Sequence, residues 1–254
     1  MGNFLFAPYL AQYREILKSM LKTSFALTAK KQLTHDVYEL IYNCPDLLKE
    51  PPLPGQYVMF QLAPGLNRSY SLASFEWDIF TLIIKRIPDG KWSPMICDAL
   101  IGAVFQGILP LGHFTLQDTL RSKCFIGTGT GFAPLYAQML GAGNSQDQNR
   151  KMAFIYGVRN FQDSFYEAEI QELGKSFNHF KYAQYFSREL EFPTILSDTA
   201  IIRLSGYVTD WINPNNIEMH EEFYVCGSPA MVKSAREKLA SLWIEKEQIF
   251  WEQF

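Results

Sequence analysis

Glycine recurs at every second residue in Gly127-Thr128-Gly129-Thr130-Gly131, and Phe132-Ala133-Pro134 follows. The segment leaves the apolar run 124–126 and opens a helical pattern, with Pro134 near its first turn. Glycine lets a backbone approach a ligand closely, and a helix N-terminus favours a pyrophosphate. The G-x-G-x-x-G fingerprint is absent, because Phe132 holds the last glycine place. No acid closes the next strand either, which runs into Gly157-Val158-Arg159. The segment reads as a nucleotide loop of another type; a plain tight turn is the alternative.

Two further segments carry chemistry. Arg68-Ser69-Tyr70-Ser71-Leu72-Ala73-Ser74 reads as a strand, which sends Arg68 and Tyr70 to one face and Ser69 and Ser71 to the other. Arginine suits bidentate phosphate recognition, and tyrosine offers a flat apolar face to a ring. An ordinary half-exposed strand would carry the same residues. Gly90-Lys91-Trp92-Ser93-Pro94-Met95 leaves a Pro-Asp-Gly turn and enters a helix with Ser93 as the expected N-cap, a start that could hold a second phosphate or serve as plain capping.

These segments need elements to position them. Residues 23–118 have the texture of short strands (24–33, 37–42, 56–62, 69–73 and 79–85) separated by Pro- and Gly-rich turns, which predicts a small antiparallel barrel with one helix at about 94–100. From residue 123 onward, apolar runs at 124–126, 152–156, 180–185, 223–226 and 249–251 alternate with helical segments at 133–140, 164–173 and 229–243. That is the pattern of a doubly wound α/β parallel sheet. The expected units are 1–22, 23–118 and 119–254, with the boundary near 115–122. In the first unit Tyr13, Ile16, Leu17, Met20 and Leu21 fall on one helical stripe, with Arg14, Glu15, Lys18 and Lys22 off it. It reads as a helix packed on its own protein, or as one that meets a membrane surface or a partner.

Composition excludes several classes. Charged residues make up 19% and aromatic residues 15%, so the chain is not disordered. A net charge of −3 removes weight from a general nucleic-acid binder. The four cysteines, Cys44, Cys97, Cys124 and Cys226, are scattered, which argues against a disulfide framework, a zinc knuckle or a closely spaced iron–sulfur site; no metal site is expected. A reducing, cytoplasmic setting fits this usage. The charge-free stretches 99–117 and 124–146 are broken by Gly and Pro too often to span a membrane as helices, and the N-terminus shows no signal-peptide pattern.

Taken in order, Arg-Ser-Tyr-Ser, then Gly-x-x-Ser about twenty residues later, then the glycine loop, resemble the ferredoxin–NADP reductase superfamily. Tyr156-Gly157-Val158-Arg159, Gly206-Tyr207-Val208-Thr209-Asp210, Cys226-Gly227-Ser228-Pro229 and the closing Glu252-Gln253-Phe254 resemble further motifs of that family. The resemblance covers residues 24–254 and implies an FAD-binding antiparallel barrel joined to an α/β domain for NADPH or NADH.

It also implies roles. Arg68 pairs with the flavin pyrophosphate, which Gly90, Lys91, Trp92 and Ser93 cover, with Trp92 placed to stack on an adenine. Tyr70 lies on the isoalloxazine and ribityl region, Ser69 shares its strand, and Ser71 bonds near flavin N5. Ile84 and Lys85 lie in the strand against the flavin nucleotide. Gly127, Thr128, Gly129, Thr130 and Gly131 cradle the second pyrophosphate, with Gly227 and Ser228 beside it. Cys226 sits at the nicotinamide, Glu252 serves a proton or hydrogen-bond relay, and Phe254 stacks on the exposed flavin face. Ser187 and Arg188, helped by Arg159, match a 2′-phosphate site and favour NADPH. Tyr207 stands where many NADPH-using relatives have arginine, with Arg203 as the substitute, so the coenzyme stays open.

The resemblance implies an FAD-dependent NAD(P)H oxidoreductase, and the scattered cysteines lead us to expect no iron–sulfur domain. Its acceptor is a carrier protein such as ferredoxin or flavodoxin, or an oxygenase component. The alternatives are a flavin or quinone reductase with a diffusible acceptor, and an electron-input subunit docked to a membrane or larger complex through residues 1–22.

Overall fold

In the computed structural model of the protein, residues 21–63, 66–143, 149–191 and 201–254 are described. The N-terminal amphipathic stripe lies outside them, save its last residues. Leu21 and Lys22 already belong to the first strand, where they pair with Leu109 and Ile108, so the barrel takes the last two residues of the expected N-terminal helix.

Six antiparallel strands close into a barrel: β1 (Leu21–Gln32), β2 (Val37–Asn43), β3 (Tyr57–Ala63), β4 (Leu66–Glu76), β5 (Ile79–Lys85) and β6 (Val104–Leu111), in the order β1-β2-β5-β4-β3-β6. Its interior is aromatic. Phe25 lies 4.8 Å from Phe60, 5.2 Å from Phe80 and 5.4 Å from Tyr42, ring centre to ring centre, all edge-on. Every residue from Phe80 to Ile84 is buried, because β5 faces two cores. Phe80, Leu82 and Ile84 point into the barrel, while Ile83 joins Val37 and Ala73 against the second half of the molecule. The expected helix is the short α1 (Ser93–Cys97). The sequence reading has no β6, whose Gly107 and Pro110 mask its pattern.

The second half is a six-stranded parallel sheet: β7 (Lys123–Thr128), β8 (Lys151–Val158), β9 (His179–Phe186), β10 (Ile201–Ser205), β11 (Glu222–Gly227) and β12 (Ile249–Gln253), ordered β10-β9-β8-β7-β11-β12. Helices α2 (Phe132–Gly143) and α3 (Glu167–Gly174) cover one face. A short α4 (Pro214–Ile217) and α5 (Pro229–Ser241) cover the other. Successive residues of β7 serve opposite cores: Phe125 meets the α2 side, and Cys124 and Ile126 the α5 side. This two-sided burial gives the continuous apolar runs of a doubly wound sheet. Strand order reverses between β7, followed outward by β8, and β11, followed by β12. Such a switch point opens a crevice at the carboxyl ends of the strands.

Candidate functional site

The first cleft, of about 440 Å³, lies on the barrel. Arg68, Ser69, Tyr70 and Ser71 of β4, Ile84 and Lys85 of β5, and Gly90, Lys91, Trp92 and Ser93 all line it. Strand alternation separates their contacts without removing any of them. Tyr70 turns its ring edge-on to Phe60 at 5.5 Å. Burial pushes its phenol up to about 12, so the group keeps its proton. The Arg68 guanidinium lies 5.9 Å from the Trp92 ring centre, with one nitrogen donating to the Asn67 carbonyl. Ser93 is not the helix cap: Trp92 holds that position without a side-chain bond, and Ser93 is the first residue of a five-residue helix. The Ser93 hydroxyl instead accepts from the Ile87 N–H at 2.9 Å and closes the turn that carries Gly90.

The second cavity, of about 680 Å³, opens at the switch point. Thr128, Gly129 and Thr130 line it, with Arg159, Ser187, Gly227 and Ser228. The glycines of the loop divide their work. Gly129 has φ +55°, and a Cβ there would meet open space, so this glycine opens onto the cavity. A Cβ on Gly127 would lie 2.6 Å from a Leu135 methyl, and one on Gly131 would lie 2.3 Å from the Cys226 carbonyl oxygen. Those two serve packing, and of the three expected glycines only Gly129 lines the cavity. The helix α5 starts at the cavity, where the Ser228 hydroxyl accepts from the Met231 N–H at 3.4 Å.

Not every expected phosphate contact is in place. Arg188 is exposed and lines neither cleft; its N–H donates to the Arg159 carbonyl at 2.9 Å. Arg203 does not replace a missing arginine beside Tyr207. It pairs with Glu167 at 2.7 Å, lies over the Phe161 ring and is absent from the cavity wall. Arg159 does line the cavity. Thr34, Asp36 and Asp163 also line it, and no sequence motif marks them. Asp36 sits on the turn between β1 and β2 and reaches Lys85 at 2.7 Å, a contact that only the tertiary fold creates.

Ser71, Glu252 and Cys226 come together across the two halves. The Ser71 hydroxyl donates to Glu252 Oε2 at 3.4 Å. Glu252 stands beside Cys226 in the parallel register of β12 and β11. Burial raises the Glu252 carboxyl above its ordinary value, and the Ser71 bond opposes that rise. Burial also pushes the Cys226 thiol well up, with the Glu252 charge adding to it. This sulfur is a neutral group at physiological pH, not a nucleophile. The thiol is fully buried and does not line the cavity, because it packs into the apolar core between the sheet and α2. Phe254 is half exposed, its N–H directed at the Gly227 carbonyl at 3.4 Å. With Lys85 and Thr130 it lines both clefts, so its ring stands where they meet.

The sequence family described as oxidoreductase NAD-binding domain matches residues 125–237, which hold the glycine loop and the switch point. The ferredoxin–NADP⁺ reductase of Plasmodium falciparum superposes with a TM-score of 0.72 at 20% identity, covering 92% of this chain and 96% of that one. The reductase component of propane 2-monooxygenase from Rhodococcus jostii is 33% identical over 208 residues, 79% of this chain and 55% of that protein. The chain shares the fold of the Plasmodium ferredoxin–NADP⁺ reductase, and its second half matches the NAD-binding family. An Amycolatopsis cytochrome P450 reductase also superposes, with a TM-score of 0.80 at 22% identity, covering 92% of this chain and 70% of that one. The chain spans a little over half the length of the first curated relatives that it matches.

Both clefts fit the cofactors that the sequence resemblance implies. The barrel cleft offers a guanidinium, Arg68, and two ammonium groups, Lys85 and Lys91, beside the flat apolar surfaces of Tyr70, Ile84 and Trp92, which suits a phosphate joined to a planar ring. The second cavity offers the open Gly129 backbone, the start of α5 and the Arg159 guanidinium, which suits an anionic dinucleotide. Among the described residues no helix is long and apolar enough to cross a membrane.

Proposed function

We propose that the chain takes hydride from NAD(P)H onto FAD and passes the electrons to an acceptor protein, a ferredoxin, a flavodoxin or an oxygenase component. The observation that carries this reading is the meeting of two differently built clefts at Phe254, with Ser71 and Glu252 in contact beside it. When bound, the flavin supplies hydride acceptance and the release of electrons one at a time. The chain's own residues hold and orient. Arg68 anchors a phosphate on the barrel, and Tyr70 lies along the ring system. Gly129 and the start of α5 hold the dinucleotide at the switch point. Ser71 and Glu252 hold a proton between the two halves, and Cys226 packs behind them as a neutral, apolar wall. Phe254 excludes water from the shared space until the coenzyme arrives.

The names of the relatives bear on the acceptor: a propane 2-monooxygenase reductase component and a toluate 1,2-dioxygenase electron transfer component both serve oxygenases. Four free, buried cysteines suit a reducing, cytoplasmic setting. The test is anaerobic stopped-flow mixing of the protein with NADPH and then NADH, following flavin absorbance near 450 nm. Rapid bleaching is expected. A protein that stays colourless after reconstitution with FAD and FMN would overturn the proposal. Cytochrome c reduction that depends on an added ferredoxin or flavodoxin is expected. Equal rates with free FMN or a quinone would overturn the acceptor-protein reading in favour of a diffusible acceptor.

A further inference from the structure

We propose that the buried Lys123–Glu222 pair, with the linker that it grips, is a positioning device that sets the angle between barrel and sheet. This inference rests on the electron-transfer reading above, because the angle matters through the distance between the occupants of the two clefts.

Lys123 and Glu222 open the adjacent parallel strands β7 and β11 and face each other in register. They are 0% and 2% exposed, and their charged atoms stand 2.7 Å apart. Glu222 also accepts from the Thr119 hydroxyl at 2.7 Å and from the Tyr224 hydroxyl at 2.9 Å. The Tyr224 hydroxyl in turn accepts from the Gln117 N–H at 3.0 Å, and Lys123 donates to the Thr119 hydroxyl at 2.8 Å. A buried ion pair is a weak source of stability compared with well-packed apolar residues of the same volume. What it adds here is direction: one carboxylate fixes three donors, and through them linker residues 117–119.

The grip continues into the barrel. The Leu116 N–H donates to the Pro54 carbonyl at 3.0 Å, and Gln138 of α2 donates to the Phe114 carbonyl at 2.7 Å. There is no slack: a Cβ on Gly55 would lie 2.0 Å from the Phe114 carbonyl oxygen, and one on Gly141 would lie 2.6 Å from the Pro54 ring. The loop held in this way leads into β3, where Tyr57 pairs with Ser71. Ser71 then meets Glu252, the register partner of Cys226 at the far end of β11. The sheet is therefore tied to the linker at Glu222 of β11 and, about 13 Å along, to the barrel at Glu252 of the neighbouring β12. With the buried pair removed, the apolar contact of Val37, Ala73 and Ile83 with the sheet half remains, but fewer directed bonds fix its angle. None of Gln117, Thr119, Lys123, Glu222 and Tyr224 lines either cleft, so the group positions the cofactors without touching them.

The experiment is a spin-label distance measurement on the full chain carrying Glu76→Cys on the barrel and Glu237→Cys on α5, both exposed, while the four native thiols are buried. It needs neither flavin nor coenzyme. The apolar pair Lys123→Met with Glu222→Leu keeps the fold while removing the grip; Glu222→Gln is the milder companion. We expect one narrow distance in the parent and a broadened one in the double variant. Flavin bleaching by NAD(P)H should then slow by at least about tenfold, with half-saturation changed by less than about twofold. An unchanged, narrow distance in the folded double variant would overturn the proposal. So would bleaching that falls only in step with melting temperature or flavin content. A parent protein that never bleaches would overturn the proposed function instead, and the distance measurement would still decide the positioning claim.

Discussion

Glu252 is the residue whose environment most directly shapes its chemistry. Burial raises its carboxyl, so it holds a proton to higher pH than an exposed glutamate. A raised acid stabilises the fold fully below its ordinary value, and that contribution is lost as pH rises through the folded value. Glu252→Gln should therefore melt no lower than the parent at pH 8, as calorimetry can check. The flavin-bleaching rate of the parent should show an inflection above the ordinary carboxylate range, and the variant should lack it. Arg159 carries a second prediction at this scale. It is an arginine on the cavity wall, whereas Arg188 lies outside the cavity and Arg203 is held by Glu167. Arg159→Ala should raise KM for NADPH by about tenfold or more and leave that for NADH nearly unchanged, since one charged hydrogen bond is worth about 1.5–3 kcal/mol. The identities of Arg68, Tyr70 and Ser71 were legible because their order matched a known pattern. Asp36 was not legible, because a lone aspartate in a turn carries no signal until β5 brings Lys85 to it.

At the scale of elements, β5 bears on two cores at once. Leu82 is fully buried within the barrel, and Leu82→Ala should cost about 2–5 kcal/mol in chemical denaturation. Phe254, just beyond β12, occupies the space common to both clefts. On the proposed reading Phe254→Ala removes the ring that gives way to the coenzyme, so KM for the coenzyme should fall while flavin content stays the same. The strands with long apolar runs were readable in the sequence, because burial on both faces leaves no polar interruptions. β10 and β6 were not. Arg203 interrupts β10, and Gly107 and Pro110 interrupt β6, yet ladder pairing with β9 and with β1 and β3 overrides those local preferences. Ser93 shows the reverse case: its type suits a cap, but the turn at Ile87 engages its hydroxyl first.

At the scale of the whole molecule, acid sensitivity should trace to a group far from chemistry. Burial pushes His220 down to about 4, and nearby Lys181 and Lys151 add to this. The folded state holds it neutral, while the unfolded chain binds the proton near its ordinary value. Stability is therefore complete above that ordinary value and is lost as pH falls toward about 4. The loss is on the order of 3 kcal/mol at most. His220→Phe keeps a ring beside Trp211 and Phe223, and the drop in melting temperature between pH 7 and pH 5 should shrink in it.

The sequence by itself determined the two architectures, the glycine loop and the ordered motifs, because hydrophobic period, turn residues and local phosphate chemistry are encoded within short stretches of chain. Tertiary structure decided what depends on distance across the fold. It placed Ser71 against Glu252 across a separation of 181 residues, withdrew Arg203 and the Cys226 thiol from the cavity, and joined both clefts at Phe254. Contacts of that kind arise from the strand order of the sheet and the closure of the barrel, which no local pattern records.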